Sequence, residues 1–220
     1  MNTDIWTPLK LSLQVACIAS IVVLIVGILL GKWMAHRQFR GKVLFETLLL
    51  LPLVLPPTVV GFLLIVIFGK NSFVGDAIEW LFHAPIIFTF WAAVLSSIVV
   101  AFPLMYQSTK IGFEGVSRDI ENAARVDGAS EWKVLLFISI PLAAKAIISG
   151  GILSFARALG EFGATLMFAG NIPGKTQTAP LAIYTAIDSG NMSVAWTLVI
   201  CMVVISFIML LCVHLIRVDA

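Results

Sequence analysis

The sequence predicts an all-α integral membrane protein, a helical bundle of five membrane spans. Of its 220 residues, 60% are hydrophobic and 12% are charged, and the mean hydropathy is +1.05. A soluble domain averages roughly 45–50% apolar and about 25% charged residues, which excludes a soluble fold. A bilayer crossing takes roughly 20 apolar residues. Apolar runs of about that length lie at about 11–30, 43–68, 86–106, 143–168 and 194–216.

Charges beside these runs predict the orientation. Basic residues cluster after the first run, at Lys32, Arg37, Arg40 and Lys42, and they recur in the central loop. Cytoplasmic loops carry an excess of Lys and Arg, so both segments are expected inside the cell. The N-terminus is then outside, and Arg217 marks the C-terminus as cytoplasmic. The first run is not a cleavable signal peptide, because it exceeds the apolar core of about 7–15 residues that such a peptide has.

Prolines interrupt the second span. Pro52, Pro56 and Pro57 each remove a backbone hydrogen bond, and the freed carbonyl groups must be satisfied by protein or by a wet cavity. A span broken in this way is typical of a transport pathway or a hinge. A kinked helix that serves only packing is the alternative that these residues leave open.

Two charges fall near the middle of the fourth span. A charge at the bilayer centre costs at least about 2.5 kcal/mol, so Arg157 and Glu161 should face the bundle interior. Their i, i+4 spacing allows them to pair. The pair either locks this helix against a neighbour or leaves Arg157 lining an anion route. The candidate pathway residues are Pro56, Pro57, Thr58, Arg157, Glu161 and Thr165.

Other chemistry finds no support. Cys17, Cys201 and Cys212 lie in apolar runs without C-x-x-C spacing, which predicts inert buried thiols and neither a metal site nor a disulfide. Between Gly170 and Gly174 only three residues intervene, whereas a P-loop needs four and a preceding strand. The chain also has no recognisable catalytic set, so we expect no enzyme activity, no ATP binding and no cofactor.

The central segment from Glu121 to Pro141 is the only long polar stretch between apolar ones, and it predicts two short helices joined by a glycine. Asp119 is the predicted N-cap of the first helix and Ser130 that of the second. Gly128 takes the position after the first helix, where glycine adopts a left-handed conformation freely. Pro141 is expected to disturb the second helix.

This segment resembles the EAA loop of ABC importer permeases. The match consists of Asn122-Ala123-Ala124, three residues, Gly128, nine residues, and Ile138 to Pro141. The family's glutamate aligns with Asn122, and Glu121 lies one residue earlier. The resemblance implies a cytoplasmic loop that docks on an ATP-binding subunit; a hairpin that packs on the protein's own bundle is the alternative. The implied docking residues are Glu121, Asn122, Ala123, Ala124, Arg125, Gly128, Trp132, Ile138 and Pro141.

The proline-rich second span and the segment ARALGEFGATLMFAGNIPG are similar to those of molybdate permeases. This resemblance implies a homodimeric permease subunit in the cell membrane that imports molybdate, and tungstate with it. Two ATP-binding subunits and an extracytoplasmic molybdate-binding protein are its implied partners, and lipid surrounds it. A permease for sulfate or another oxyanion is the nearest alternative. An ion-coupled secondary transporter is disfavoured, because no internal repeat is evident.

The whole chain, 1–220, is predicted to form one transmembrane domain, with the cytoplasmic docking loop at 109–141. The apolar stretch 177–187 is too short to span the bilayer. Whether it forms a sixth, partial span that re-enters the membrane or a surface helix stays open.

Overall fold

The computed structural model describes residues 5–70 and 72–218, with side chains through residue 211, so the side chains of Cys212 and Arg217 lie outside the description. The described chain is helical and contains no strand. The first six helices are α1 (Trp6–Ala35), α2 (Lys42–Val54), α3 (Pro57–Phe68), α4 (Phe73–Phe82), α5 (Phe90–Glu114) and α6 (Arg118–Val126). The remaining helices are α7 (Glu131–Val134), α8 (Ile140–Leu142), α9 (Ala144–Leu159), α10 (Gly163–Phe168), α11 (Ala179–Asp188) and α12 (Met192–Val218).

The lengths and apolar composition of the helices agree with the predicted all-α membrane protein. Three helices of the described chain are long and apolar enough to cross a bilayer, namely α1, α5 and the part of α12 up to Leu211. Two bent pairs, α2 with α3 and the segment 131–142 with α9, raise the number to as many as five if each pair is one span. The prediction of an all-helical membrane bundle is confirmed.

The core of the bundle forms where α1 crosses α5. A Cβ atom on Gly27 would lie 2.6 Å from the side chain of Met105, and one on Gly31 would clash with Thr109 Oγ1. The Thr109 hydroxyl donates a hydrogen bond of 2.8 Å to the Gly27 carbonyl oxygen. The two glycines, four residues apart, therefore allow the backbones to approach closely, as small residues do in membrane helices.

The second predicted span is two helices rather than one interrupted helix. α2 and α3 meet at an angle of 117°. Leu55 and Pro56 each precede a proline and are extended, with ψ of 142° and 136°, because the ring of a following proline disfavours the helical region. Pro57 begins α3, where its missing N–H is not needed. The break is thus dictated locally by two adjacent prolines.

The third and fourth spans differ from the apolar runs at their ends. α5 begins at Phe90, later than the predicted start at 86, because Thr89 caps it by accepting a hydrogen bond from the Ala92 N–H. It continues to Glu114, beyond the predicted end at 106. The start of the predicted loop at residue 109 therefore lies inside α5. The run 143–168 is broken at residues 160–162, between α9 and α10.

The short apolar stretch near residue 180 is the helix α11. Its N-terminus is fixed by Ser12, whose hydroxyl oxygen accepts a hydrogen bond of 2.7 Å from the Ala179 N–H. The face containing Leu181 and Ala182 is buried. α11 is thus a packed helix of ten residues. Cys17, predicted to be buried, is exposed because it lies on the outer face of α1, and Cys201 is half-buried.

The α1–α5 crossing makes the first testable prediction. We expect Gly31→Ala to destabilise the protein by about 1–3 kcal/mol, because the added methyl group meets the Thr109 side chain and the Lys110 backbone nitrogen. Gly151→Ala is the matched control, since its Cβ atom would lie 3.8 Å from Leu24, an ordinary contact. Thermal unfolding in detergent measures both. Equal midpoints for the two variants would contradict the close packing of α1 on α5.

Candidate functional site

The first helix of the predicted docking segment is α6. Ser117, extended at ψ 129°, is its N-cap, and its hydroxyl oxygen accepts a hydrogen bond of 3.2 Å from the Asp119 N–H. The prediction that Asp119 is the cap is therefore wrong. Asp119 lies in the first turn of the helix, where its negative carboxylate interacts favourably with the positive end of the helix dipole.

The turn after α6 follows the prediction. Gly128 has φ +88°, and its N–H bonds to the Arg125 carbonyl oxygen at 3.0 Å. The next N–H, of Ala129, reaches the Ala124 carbonyl oxygen at 3.0 Å. These two bonds form the Schellman motif that ends a helix at glycine. Ser130 occupies the N-cap position of α7 as predicted, but its side chain makes no capping bond in the described structure.

A π-helical turn at Leu135–Ser139 separates α7 from α8. It arises before Pro141, which cannot donate a backbone hydrogen bond and whose ring crowds the carbonyl group four residues earlier. The Ile140 N–H bonds to the Leu135 carbonyl oxygen, which is the wider π pattern. Beyond Pro141 the chain bends by 78° into α9. The sequence predicted disturbance at Pro141 but not the π turn.

Three side chains far apart in sequence meet beneath α6, and we call them the latch: Lys32, Glu121 and Ser139. The Lys32 ammonium group donates to the Glu121 carboxylate and, at 3.1 Å, to Ser139 Oγ. The Ser139 hydroxyl also donates to Glu121 Oε1 at 2.7 Å. Glu121 is only 3% exposed. The latch therefore joins the end of α1 to α6 and to the π turn.

The electrostatics keep the latch ionised. Burial alone would raise the pKa of Glu121, but hydrogen bonds from Lys32 and Ser139, with the charges of Lys32 and Arg125, hold that pKa below its ordinary value. The stabilisation that the ionised Glu121 carboxylate gives to the folded chain is therefore present at neutral pH. It is lost only in acid, as the pH falls through the lowered pKa of Glu121. Arg125 also pairs with exposed Glu131 at 2.7 Å, which ties α6 to α7.

The outer surface of this hairpin is unusually apolar for a polar segment. Val126 is 87% exposed and Trp132 is 65% exposed. Of the candidate docking residues, Glu121 is buried in the latch, whereas Ala124, Arg125 and Ile138 are half-buried. The exposed ones are Asn122, Ala123, Gly128, Trp132 and Pro141. All of them except Glu121 are therefore at least partly accessible.

Sequence reasoning missed three residues here. From the sequence, Lys32 is used only as a topology signal and Ser139 only as part of the match from Ile138 to Pro141, and Val126 is not used. The available signal for Ser139 was a lone hydroxyl inside the apolar run LLFISIP. No local signal links Lys32 to it across 107 residues.

The second candidate site surrounds the break between α9 and α10. Arg157 Nη1 lies 2.7 Å from Glu161 Oε2, so the predicted pair forms. The Glu161 side chain is 1% exposed and that of Arg157 is 30% exposed. Glu161 lies beyond the end of α9, and its other oxygen accepts a hydrogen bond of 2.8 Å from the Ala164 N–H in the first turn of α10. One carboxylate therefore holds both helices at their junction.

The candidate pathway residues of the second span lie against this junction. A Cβ atom on Gly163 would be 2.9 Å from the Pro57 side chain and 3.4 Å from the Thr58 nitrogen. Pro56, Pro57 and Thr58 are exposed. Thr165 is 1% exposed and faces the chain's own core.

Comparison with known proteins identifies the family. The model of the binding-protein-dependent transport system inner membrane component matches residues 17–217. The chain belongs to this family. It is 64% identical over 208 residues to the putative molybdenum transport system permease protein YvgM of Bacillus subtilis, across 94% of this chain and 92% of the relative. It is 42% identical over 207 residues to the molybdenum transport system permease protein ModB of Escherichia coli, across 94% and 90%.

Solved structures agree on the fold. A bacterial alginate ABC transporter, in complex with its alginate pentasaccharide-bound periplasmic protein, aligns with a TM-score of 0.73 at 14% identity, covering 96% of this chain and 78% of that one. The MetNI methionine ABC transporter aligns at 0.67 and 15% identity, covering 98% and 94%.

Family membership settles the general role. As an ABC importer permease, the chain is a multi-pass membrane protein and a transport subunit rather than an enzyme. ATP hydrolysis belongs to a partner ATP-binding subunit, and a binding protein is the second implied partner.

The latch generates the second prediction. Lys32→Met leaves the buried Glu121 carboxylate with Arg125 and Ser139 alone, which should cost about 3 kcal/mol, the lower end for breaking a buried pair. Hydrogen exchange of the α6 amides should accelerate by roughly two orders of magnitude, because opening of α6 becomes easier. Arg40→Met, an exposed cation of the same basic segment, is the control. Unchanged exchange in Lys32→Met would show that the latch does not hold α6.

Proposed function

We propose that this chain is the permease through which an ABC importer carries molybdate, and tungstate with it, into the cytoplasm. The observation that carries the proposal is the likeness, over 94% of the chain, to relatives named as molybdenum transport permeases. The binding-protein partner would then deliver the oxyanion.

The hairpin formed by α6 and α7 is proposed as the docking element for the ATP-binding subunit. Apolar side chains as exposed as Val126 and Trp132 on a polar segment are typical of an interaction surface. The latch and the Arg125–Glu131 pair hold this surface in a fixed position. Small residues at Ala123 and Gly128 leave room for a close partner.

The proposed orientation puts this hairpin in the cytoplasm, the N-terminus outside and the C-terminus inside. It is supported by the basic residues that accompany the hairpin side of the bundle, including Lys32, Arg37 and Arg118. The segment on the other side, between α3 and α5, includes α4 and carries a mixed set of charges at Lys70, Asp76 and Glu79.

A homodimer is proposed because part of the bundle lacks cover. α2, which is fully described, has no buried residue of its own. Pro56, Pro57 and Thr58 at its end are exposed as well. A second copy and lipid would enclose this surface, and the pathway would run beside Thr58 and the Arg157–Glu161 junction. Thr165 would support that junction from behind.

The proposed mechanism is alternating access. Closure of the ATP-binding subunits would move the docked hairpins, and two connections lead from each hairpin into the bundle. The latch transmits motion to α1, whereas the π turn and the 78° bend before α9 absorb part of it. Arg157 lies in the last turn of α9, beside the junction, so a tilt of this helix would alter the pathway.

Radiolabelled uptake tests the substrate. The chain is expressed with its ATP-binding subunit and binding protein in cells that lack their own high-affinity molybdate system. We expect molybdate uptake that excess unlabelled tungstate blocks and excess sulfate does not. Block by sulfate would move the substrate to sulfate-like oxyanions, and uptake that persists without the ATP-binding subunit would contradict an ABC importer.

Val126→Asp tests docking. The side chain is so exposed that the substitution removes no packing within the chain, yet it places a charge on the proposed interface. We expect copurification of the ATP-binding subunit to fall at least about tenfold, as when a charge is desolvated without a partner. Val126→Thr keeps the shape and should behave like the wild type. Normal copurification and uptake with Val126→Asp would exclude this surface from docking.

Arg157 tests the pathway. Arg157→Gln should lower the amount of assembled protein, because it leaves the buried Glu161 carboxylate without its partner. The double variant Arg157→Gln/Glu161→Gln should restore assembly, since no buried charge remains. We expect that variant to transport poorly, because the exposed part of the pair is the cationic guanidinium group that an anion would meet. Normal uptake by the assembled double variant would reduce the pair to a structural lock.

A further inference from the structure

A cavity of about 500 Å³ opens between the end of α1 and the hairpin, on the side of α6 that faces α1. Four basic side chains and two carboxylates line it, which leaves an excess of two positive charges. The charged residues of its wall are Lys32, Arg37, Arg118, Arg125, Glu121 and Glu131.

The excess charge belongs to identifiable groups. Lys32 and Arg125 are neutralised by Glu121 and Glu131. Arg37 and Arg118 have no ion-pair partner among the side chains that the structure describes. His36 Nε2, in the same wall, is buried and lacks a hydrogen-bond partner within the described residues. The Arg118 guanidinium group donates a hydrogen bond to the His36 carbonyl oxygen, which leaves its charge without a counter-ion. The cavity therefore contains two cations without an ion-pair partner and one unsatisfied polar atom.

The rest of the wall consists of Asn122 and three apolar side chains, and two of these, Leu29 and Trp33, belong to α1. Leu29 and Trp33 lie one turn apart on the outer face of α1, and both are exposed, at 43% and 39%. Leu29 belongs to the apolar run of the first span, and Trp33 is of the kind found at membrane interfaces. The Arg37 guanidinium group stacks over the Trp33 ring at 5.4 Å. An occupant must thus combine an anionic group with an apolar part.

We propose that this cavity binds the headgroup of an anionic phospholipid, with the phosphate between Arg37 and Arg118 and the acyl chains along Leu29 and Trp33. A free oxyanion has no apolar part to match that wall. A docked protein that rests on Ala123, Val126 and Trp132 would lie outside the cavity, because none of these three side chains lines it. The α6 side chains that do line it are Arg118, Glu121, Asn122 and Arg125. Basic clusters beside a span bind anionic lipids in this way.

Native mass spectrometry of the purified complex with its ATP-binding subunit tests the proposal. The complex is equilibrated with equimolar phosphatidylglycerol and phosphatidylcholine, and the ratio of the two retained lipids is measured. We expect the wild type to retain several-fold more phosphatidylglycerol. Arg37→Gln/Arg118→Gln should lower that ratio several-fold, to about one, because both cations that attract the anionic headgroup are removed. Arg37→Lys/Arg118→Lys should retain most of it.

The control is Arg40→Gln/Lys145→Gln, which removes two exposed cations outside the cavity. An equal loss in this control would mean a general field rather than a site. A wild-type ratio near one, or displacement of the lipid by inorganic phosphate, would also overturn the proposal. Loss of the ATP-binding subunit from Arg37→Gln/Arg118→Gln at an unchanged lipid ratio would assign the cavity to the protein partner instead.

Discussion

The position of the hairpin depends on one buried ion pair, between Lys32 and Glu121. α6 has nine residues and α7 has four, and helices this short are not stable alone in water. Glu121 is the single buried residue of α6, so no apolar face anchors that helix. A carboxylate that is buried is costly unless it is paired, and the pairing with Lys32 and Ser139 therefore fixes where α6 can lie.

The latch is connected to the core of the bundle through α1. Lys32 follows Gly31, the glycine at which α1 contacts Thr109 of α5 without space for a Cβ atom. Because packed interiors respond to displacement as units, a force on α6 reaches α5 through α1. The other connection, through the π turn to α9, contains a wide helical turn and a bend. The hairpin is thus joined to α1 through the side chains of the latch, and to α9 through a π turn and a bend.

The helices and the chemistry of single positions were predictable from sequence. Apolar runs must form helices in lipid, because each backbone group needs a partner, and only glycine satisfies the turn at 128 easily. The Arg157–Glu161 pair followed from i, i+4 spacing. The latch did not, because its contacts span 89 and 107 residues. The cap of α6 was misplaced because Ser117 and Asp119 are both good capping residues, and only the backbone conformation selects between them.

In the resemblance to the EAA loop, the family's glutamate aligns with Asn122, whereas this chain has its acidic residue one position earlier, at Glu121. This difference has a structural consequence. Adjacent residues on a helix point about 100° apart, so one step in sequence moves a carboxylate to a different face. In this chain Glu121 faces α1 and serves the latch, whereas exposed Asn122 is neutral and accepts a hydrogen bond from Arg125. Neither residue therefore offers an accessible negative charge to a partner. The docking that we propose would then rest on shape and apolar contact at Ala123, Val126 and Trp132, whose side chains are exposed.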